Sequence, residues 1–247
     1  MALVIAAAFA GAILQSAVGF GFALVLGPAL FAVLEPADAL FTVLALSILL
    51  NSFTLLGEGR QRHVRPELPV LLAASLPGLA AGALIFTALS RETLQIAIGV
   101  AVIAAAAIDQ GREGSPVEAA ERPIGAWTAI PVGVAAGALT TTTSTNGPPL
   151  LLFFRARGFS PAEVRDTMAA ILLALNLIGI PLGFLFSDPG LGFEAGTFLA
   201  LMATVIAGVL VGRSAFTRME ARHFHAVGLV LVVIAGVASL LAGAGVI

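Results

Sequence analysis

Seven polar residues with no charge among them, Thr140-Thr141-Thr142-Thr143-Ser144-Thr145-Asn146, run directly into Gly147-Pro148-Pro149. They interrupt an apolar segment that spans about residues 124–154. Polar groups left without partners in hydrocarbon cost on the order of 2–7 kcal/mol each. Non-helical backbone at membrane depth survives only when it is buried in protein or lines a cavity. The stretch therefore reads as the tip of a broken, re-entrant helix pair and as half of a substrate site. Composition supplies the membrane premise. The 247 residues are 59% hydrophobic and 11% charged, against about 25% charged in a soluble domain.

The first apolar segment, about residues 3–34, would be roughly 48 Å long as one straight helix, well beyond a ~30 Å hydrocarbon core. Gly19-Phe20-Gly21 breaks it, with Gln15 and Ser16 just before the break. Further segments follow at about 37–56, 68–89 and 93–108, the first of them carrying Asn51. Residues 109–123 are polar and read as a linker, here cytoplasmic, between a first repeat (1–108) and a second (124–247). After the threonine-rich fifth segment come a sixth at about 161–186, with Asn176, a seventh at 195–211 and an eighth from 224 to the end. Arg213, Arg218 and Arg222 fall in the loop expected between the last two. The N-terminus lacks the positive n-region of a cleaved signal peptide, so the first segment is expected in the mature fold. Cysteine is absent, which removes disulfides, Cys metal sites and thiol chemistry.

The two halves match each other. Pro36-Ala37-Asp38 aligns with Pro161-Ala162-Glu163 at a shift of 125, which also carries Thr42 to Thr167 and Asn51 to Asn176. Gly78, Gly82 and Phe86 align with Gly208, Gly212 and Phe216 at 130. An ordered, slowly drifting shift points to duplication. Charge then orients the copies. All 12 basic residues are Arg, and cytoplasmic loops carry the excess of basic residues. If segments one and five dip in and return while the other six cross, every Arg but Arg91 falls inside. Both termini then lie outside, and the acidic loops at 35–38 and 188–194 do too. A re-entrant pair plus three crossings changes side, so the repeats are inverted. The expected fold is an all-α polytopic membrane protein of two inverted-topology repeats, each a broken, re-entrant helix pair plus three transmembrane helices.

The duplicated plan, the Gly19-Phe20-Gly21 break, the Arg-rich loop after the second segment and the Asn146-Gly147-Pro148-Pro149 break together resemble the TauE/SafE sulfite exporter family. The resemblance spans about residues 9–240. It implies transport, usually export, of sulfite, organosulfonates or related small anions across the bacterial inner membrane. The reading is a secondary transporter, not an enzyme, working by alternating access around a midplane site. An anion channel, or a cation-coupled transporter using Thr hydroxyls and backbone carbonyls, stands as the alternative.

The candidate substrate-binding residues are Gln15, Gly19, Gly21, Asn51, Thr141, Thr142, Thr143, Ser144, Thr145, Asn146, Gly147 and Asn176. A helix starting at Pro148 and Pro149 would aim a positive dipole end at the midplane, a ready anion site. The second tip is expected to supply most side-chain donors and the first to allow close backbone approach at Gly19 and Gly21. The competing reading is that the hydroxyls bond back to helix carbonyls and only bend the segment. For Asn51 and Asn176 it is interhelical hydrogen bonding. The Gly78/Gly82 and Gly208/Gly212 pairs read as close-packing surfaces. No ionisable residue falls at the middle of any segment, which argues against a carboxylate proton relay. No catalytic residue, cofactor or metal ion is expected. The expected partners are a small anionic substrate and the lipid bilayer, with no nucleic acid; a homodimer is left open.

Overall fold

The computed structural model describes residues 1–56, 67–110, 126–190 and 192–218, with isolated positions between 233 and 245. The 57–66 loop, most of the linker and most of the eighth segment, with all three histidines, lie outside the described residues. Within them the chain is helical. The order is α1 (Ala2–Val18), α2 (Phe22–Val33), α3 (Pro36–Leu55), α4 (Leu68–Ala88), α5 (Arg91–Gln110), α6 (Ala129–Thr142), α7 (Gly147–Ala156), α8 (Pro161–Phe186) and α9 (Ala195–Arg218). Among the described residues, Pro36–Leu55, Leu68–Ala88, Ala162–Phe186 and Ala195–Ser214 are long and apolar enough to cross a membrane. The chain is an all-α, multi-pass membrane protein.

Local chemistry sets the helix starts. The two aligned prolines both open helices: Pro36 begins α3 and Pro161 begins α8, where a missing N–H is no loss. α8 also has a capping box: the Ser160 hydroxyl accepts from Glu163 N, and Ser160 N donates to the Glu163 carboxylate at 2.8 Å. α9 continues past residue 211, so Arg213 lies within the helix rather than in the following loop, and its guanidinium donates to Phe53 O. A long Arg stem lets a helix run on into the interface while its charge finds a polar partner.

Packing pairs each half with the other. α4 lies along α6 with glycines on both sides. A Cβ on Gly78 or Gly82 would overlap Val134 O or Ala138 O, and one on Gly133 would come 2.7 Å from Leu71 O. Residues rise in step on both helices, so the pair is parallel. α1 and α9 repeat this arrangement. A Cβ on Gly208 would meet Phe9 O at 2.8 Å, one on Gly212 would meet Ile13 O at 2.7 Å, and Ser16 donates to Val209 O. α3 and α8 are antiparallel, with Phe41 edge-on to Phe184 and Leu44 beside Gly179.

Both broken pairs double back. α6 starts beside the first turns of α4, and Arg157, just past α7, bonds Glu67 at that same end at 2.7 Å. At the other hairpin, Leu34 ends α2 against Gly192, just before the start of α9, where α1 also begins. Two apolar cores result. One gathers α1, α2, α3 and α9; the other gathers α4, α6, α7 and α8.

Candidate functional site

The two hairpin tips meet. A Cβ on Gly147 would lie 3.0 Å from the Phe20 Cβ. At the first tip, α1 ends in Gly19 at φ 96° and α2 begins after Gly21 at φ 115°. This left-handed backbone is open to glycine at little cost. Gln15 stitches the break. Its Oε1 accepts from Phe22 N at 3.0 Å, and its Nε2 donates to Asn51 Oδ1 at 2.9 Å. The first tip is thus tied to α3 through one amide.

The second tip is built differently. α6 closes at Thr142 and α7 opens at Gly147, so Thr140, Thr141 and Thr142 are helical and the break is Thr143–Asn146. Thr140 and Thr142 donate to Ala136 O and Ala138 O, and Thr141 crosses to Leu79 O of α4 at 2.8 Å. A hydroxyl has one hydrogen, so these three keep only lone pairs to offer. The Thr143 and Thr145 hydroxyls stand 2.6 Å apart, and Asn146 folds back to donate to Thr140 at 2.7 Å. Ser144 holds φ at 57°, a conformation that costs roughly 1–3 kcal/mol and gathers at functional sites. The first turn of α7 contains Pro148 and Pro149, which have no N–H. Of its first three residues only Gly147 brings an amide hydrogen. Donation is therefore distributed otherwise than the sequence led one to expect. Thr140, Thr141 and Thr142 offer acceptors at the second tip, and at the first the leading N–H of α2 is already taken by Gln15.

Asn51 and Asn176 lie 1% and 3% exposed on α3 and α8. Asn51 Nδ2 and Asn176 Oδ1 are buried with no hydrogen-bond partner. The pairing of Leu44 with Gly179 puts Asn176 level with Ser47, about 6 Å short of Asn51 along the helix pair. A buried amide group left unsatisfied costs about 1–3 kcal/mol, which both positions carry.

A narrow cleft, with about 20 Å³ of free volume, lies between α3, α4 and α8 and reaches Thr141. Leu40, Phe41, Leu44 and Phe86 give it apolar walls, and Ser187 and Pro189 stand at its mouth. Gly179 and Ile180 line it, one turn above Asn176 on the same helix. Among the described residues no cluster of His, Asp or Glu is placed to hold a metal ion.

The structure thus brings Gly19, Gly21, Gln15 and Asn51 together at one tip and residues 140–147 at the other. One residue outside the sequence-derived set also belongs here. Arg165, only 2% exposed, packs against Gly19: a Cβ on that glycine would lie 2.8 Å from Arg165 Cα. It sits in the first turns of α8, and the sequence reading counts it only among the cytoplasmic arginines. Gly19, which packs against it, is more than a hundred residues away in sequence.

Helix breaks meeting inside a multi-pass bundle, beside buried amides with unused polar atoms, define the frame of a membrane transporter. The chain belongs to the sulfite exporter TauE/SafE family, whose model matches residues 3–239. No curated protein and no solved structure matches it.

Proposed function

We propose that this protein is a secondary transporter, working as an exporter, for small anions such as sulfite, organosulfonates or carboxylates. Its site lies between the two hairpin tips and is exposed alternately to either side of the bacterial inner membrane. The observation that carries the reading is the placement of Asn51 Nδ2 and Asn176 Oδ1, buried and without protein partners, beside tips that touch at Phe20 and Gly147. Polar atoms held dry and unsatisfied are accounted for by a ligand that completes them. The inverted duplication is supported by the helix pairing. Parallel α1–α9 and α4–α6 contacts around an antiparallel α3–α8 centre are what two copies of opposite orientation produce.

Counterflow tests the transport reading. Proteoliposomes preloaded with unlabelled sulfite or methanesulfonate should take up labelled anion faster than empty ones. Equal rates would identify a channel. Topology has its own test in this Cys-free chain. A cysteine at Ser90 should react with an impermeant maleimide in whole cells, and one at Ser160 should not. Labelling at both positions would mean that the α6–α7 hairpin crosses the bilayer, and the inverted-repeat reading would fall.

A second reading has its own support. The committed hydroxyls of Thr140, Thr141 and Thr142 leave oxygen lone pairs at the C-terminal end of α6, chemistry that suits a coupling cation. Anion flux that requires sodium would favour it; flux unchanged in a choline medium would discard it.

A further inference from the structure

A buried arginine in a membrane protein is costly and marks a position with a task. Its guanidinium presents a rigid fork of donors matched to an oxyanion. Arg165 is held under the first tip, against the glycine whose left-handed φ ends α1. Arg165, Ala169, Leu172 and Asn176 follow at i, i+4, i+7 and i+11, one stripe of α8. About 16 Å of helix thus joins the cation to the unsatisfied Asn176 oxygen. The residue equivalent to Arg165 in the first half is Leu40, at the shift of 125. Leu40 is a wall of the cleft, which opens at the opposite end of α8. One mouth of the pathway has a cation where the other has a hydrocarbon side chain.

We propose that Arg165 is the anion-capture residue of the inner mouth. It binds an oxyanion arriving from the cytoplasm before the anion moves to the level of Asn51 and Asn176, and the outer mouth has no counterpart. The inference rests on the transport reading above and deepens it. In the state described, the cleft opens at the outer end and Arg165 is covered; opening the inner path uncovers it. Asp166 Oδ1 stands 3.6 Å from Arg165 Nε, longer than the ~2.7–2.9 Å of a charge-assisted hydrogen bond. A substrate oxygen replaces that contact when the anion arrives. The consequence is sidedness, with a lower half-saturating concentration from the cytoplasmic face than from the outer face.

The test uses the full chain in proteoliposomes of determined orientation, with labelled sulfite and methanesulfonate offered to each face in turn. Arg165→Gln should raise the half-saturating concentration at the inner face about tenfold or more and leave the outer face within twofold. Arg165→Lys should recover a large part of the loss, and added chloride should weaken inner-face binding in the parent more than in Arg165→Gln. Asp166→Asn, which removes the competing carboxylate, should lower the inner value. No change in Arg165→Gln, or an equal rise at both faces, overturns the assignment while leaving transport intact. If Arg165→Gln cannot be recovered folded, Asp166→Asn decides: an inner value unchanged or raised overturns it. A parent protein with no saturable flux from either face would overturn both this assignment and the transport reading.

Discussion

Asn176→Leu is expected to separate transport from stability. Asn176 Oδ1 is buried with no hydrogen-bond partner, so leucine, which branches at the same atom, removes a desolvated polar group without breaking a bond to it. The relief is about 1–3 kcal/mol. The detergent-solubilised variant should therefore unfold at or above the temperature of the parent. Its flux should fall by a factor of ten or more, because a hydrogen bond to a charged ligand is worth about 1.5–3 kcal/mol. Asn51→Leu differs in an instructive way. It also breaks the Gln15 bond that ties the first tip to α3, so it should lose both stability and flux. A lowered unfolding temperature with normal flux in Asn176→Leu would make that residue a scaffold amide, and the site would lie elsewhere.

Gly82→Val should yield no folded protein. A Cβ at Gly82 would overlap Ala138 O and Thr141 Oγ1 and lie 2.8 Å from Ala138 Cα. These are main-chain atoms of a paired helix and the hydroxyl that crosses to Leu79 O, so neither side can give way without parting α4 from α6. Overpacking an ordinary core costs about 1–3 kcal/mol. Here backbone meets backbone, against a total stability of about 5–15 kcal/mol. Gly196→Ala, with nothing within 4 Å of its added carbon, is the control and should purify as the parent does. A monodisperse, active Gly82→Val would show that the α4–α6 contact is not what holds the second hairpin.

Much of this architecture was legible in the linear chain because it is written in residues with strong local rules. Gly19 and Gly21, two residues apart in a segment too long to cross as one helix, mark its break, and Pro36 and Pro161 each start a helix. The small-residue pairs at 78/82 and 208/212 have no side chain to offer except closeness, and closeness is how they are used. What the sequence did not disclose depends on atoms brought from far away. A threonine donates to whichever acceptor the fold presents, so Thr141 alone gives no sign that its hydrogen goes to Leu79. Pro148 and Pro149 were readable as helix starters, yet their lack of N–H groups also strips donors from the tip they begin. Arg165 counted in the sequence only as one of the cytoplasmic arginines; that it lies against Gly19 of the first hairpin is set by packing across the chain. Asn51 and Asn176 could be matched by position, but which of their atoms stay unsatisfied is a property of the packed core.

The two apolar cores do not coincide with the two halves of the chain. α4 belongs to the first half of the chain and is packed with the second hairpin; α9 belongs to the second half and is packed with the first. Cut between α5 and α6, each half would carry a hairpin stripped of the helix that grips it. The faces of α1 and α6 that meet α9 and α4 would have nothing to close on. On the duplication reading, a half-length ancestor could have been stable only as two copies inserted in opposite orientations, each lending a helix to its neighbour. On that reading, fusion of the two copies would have fixed both orientations in one chain and freed the halves to diverge: the second carries both its threonines and Arg165, and the first has Leu40 at the position that matches the arginine.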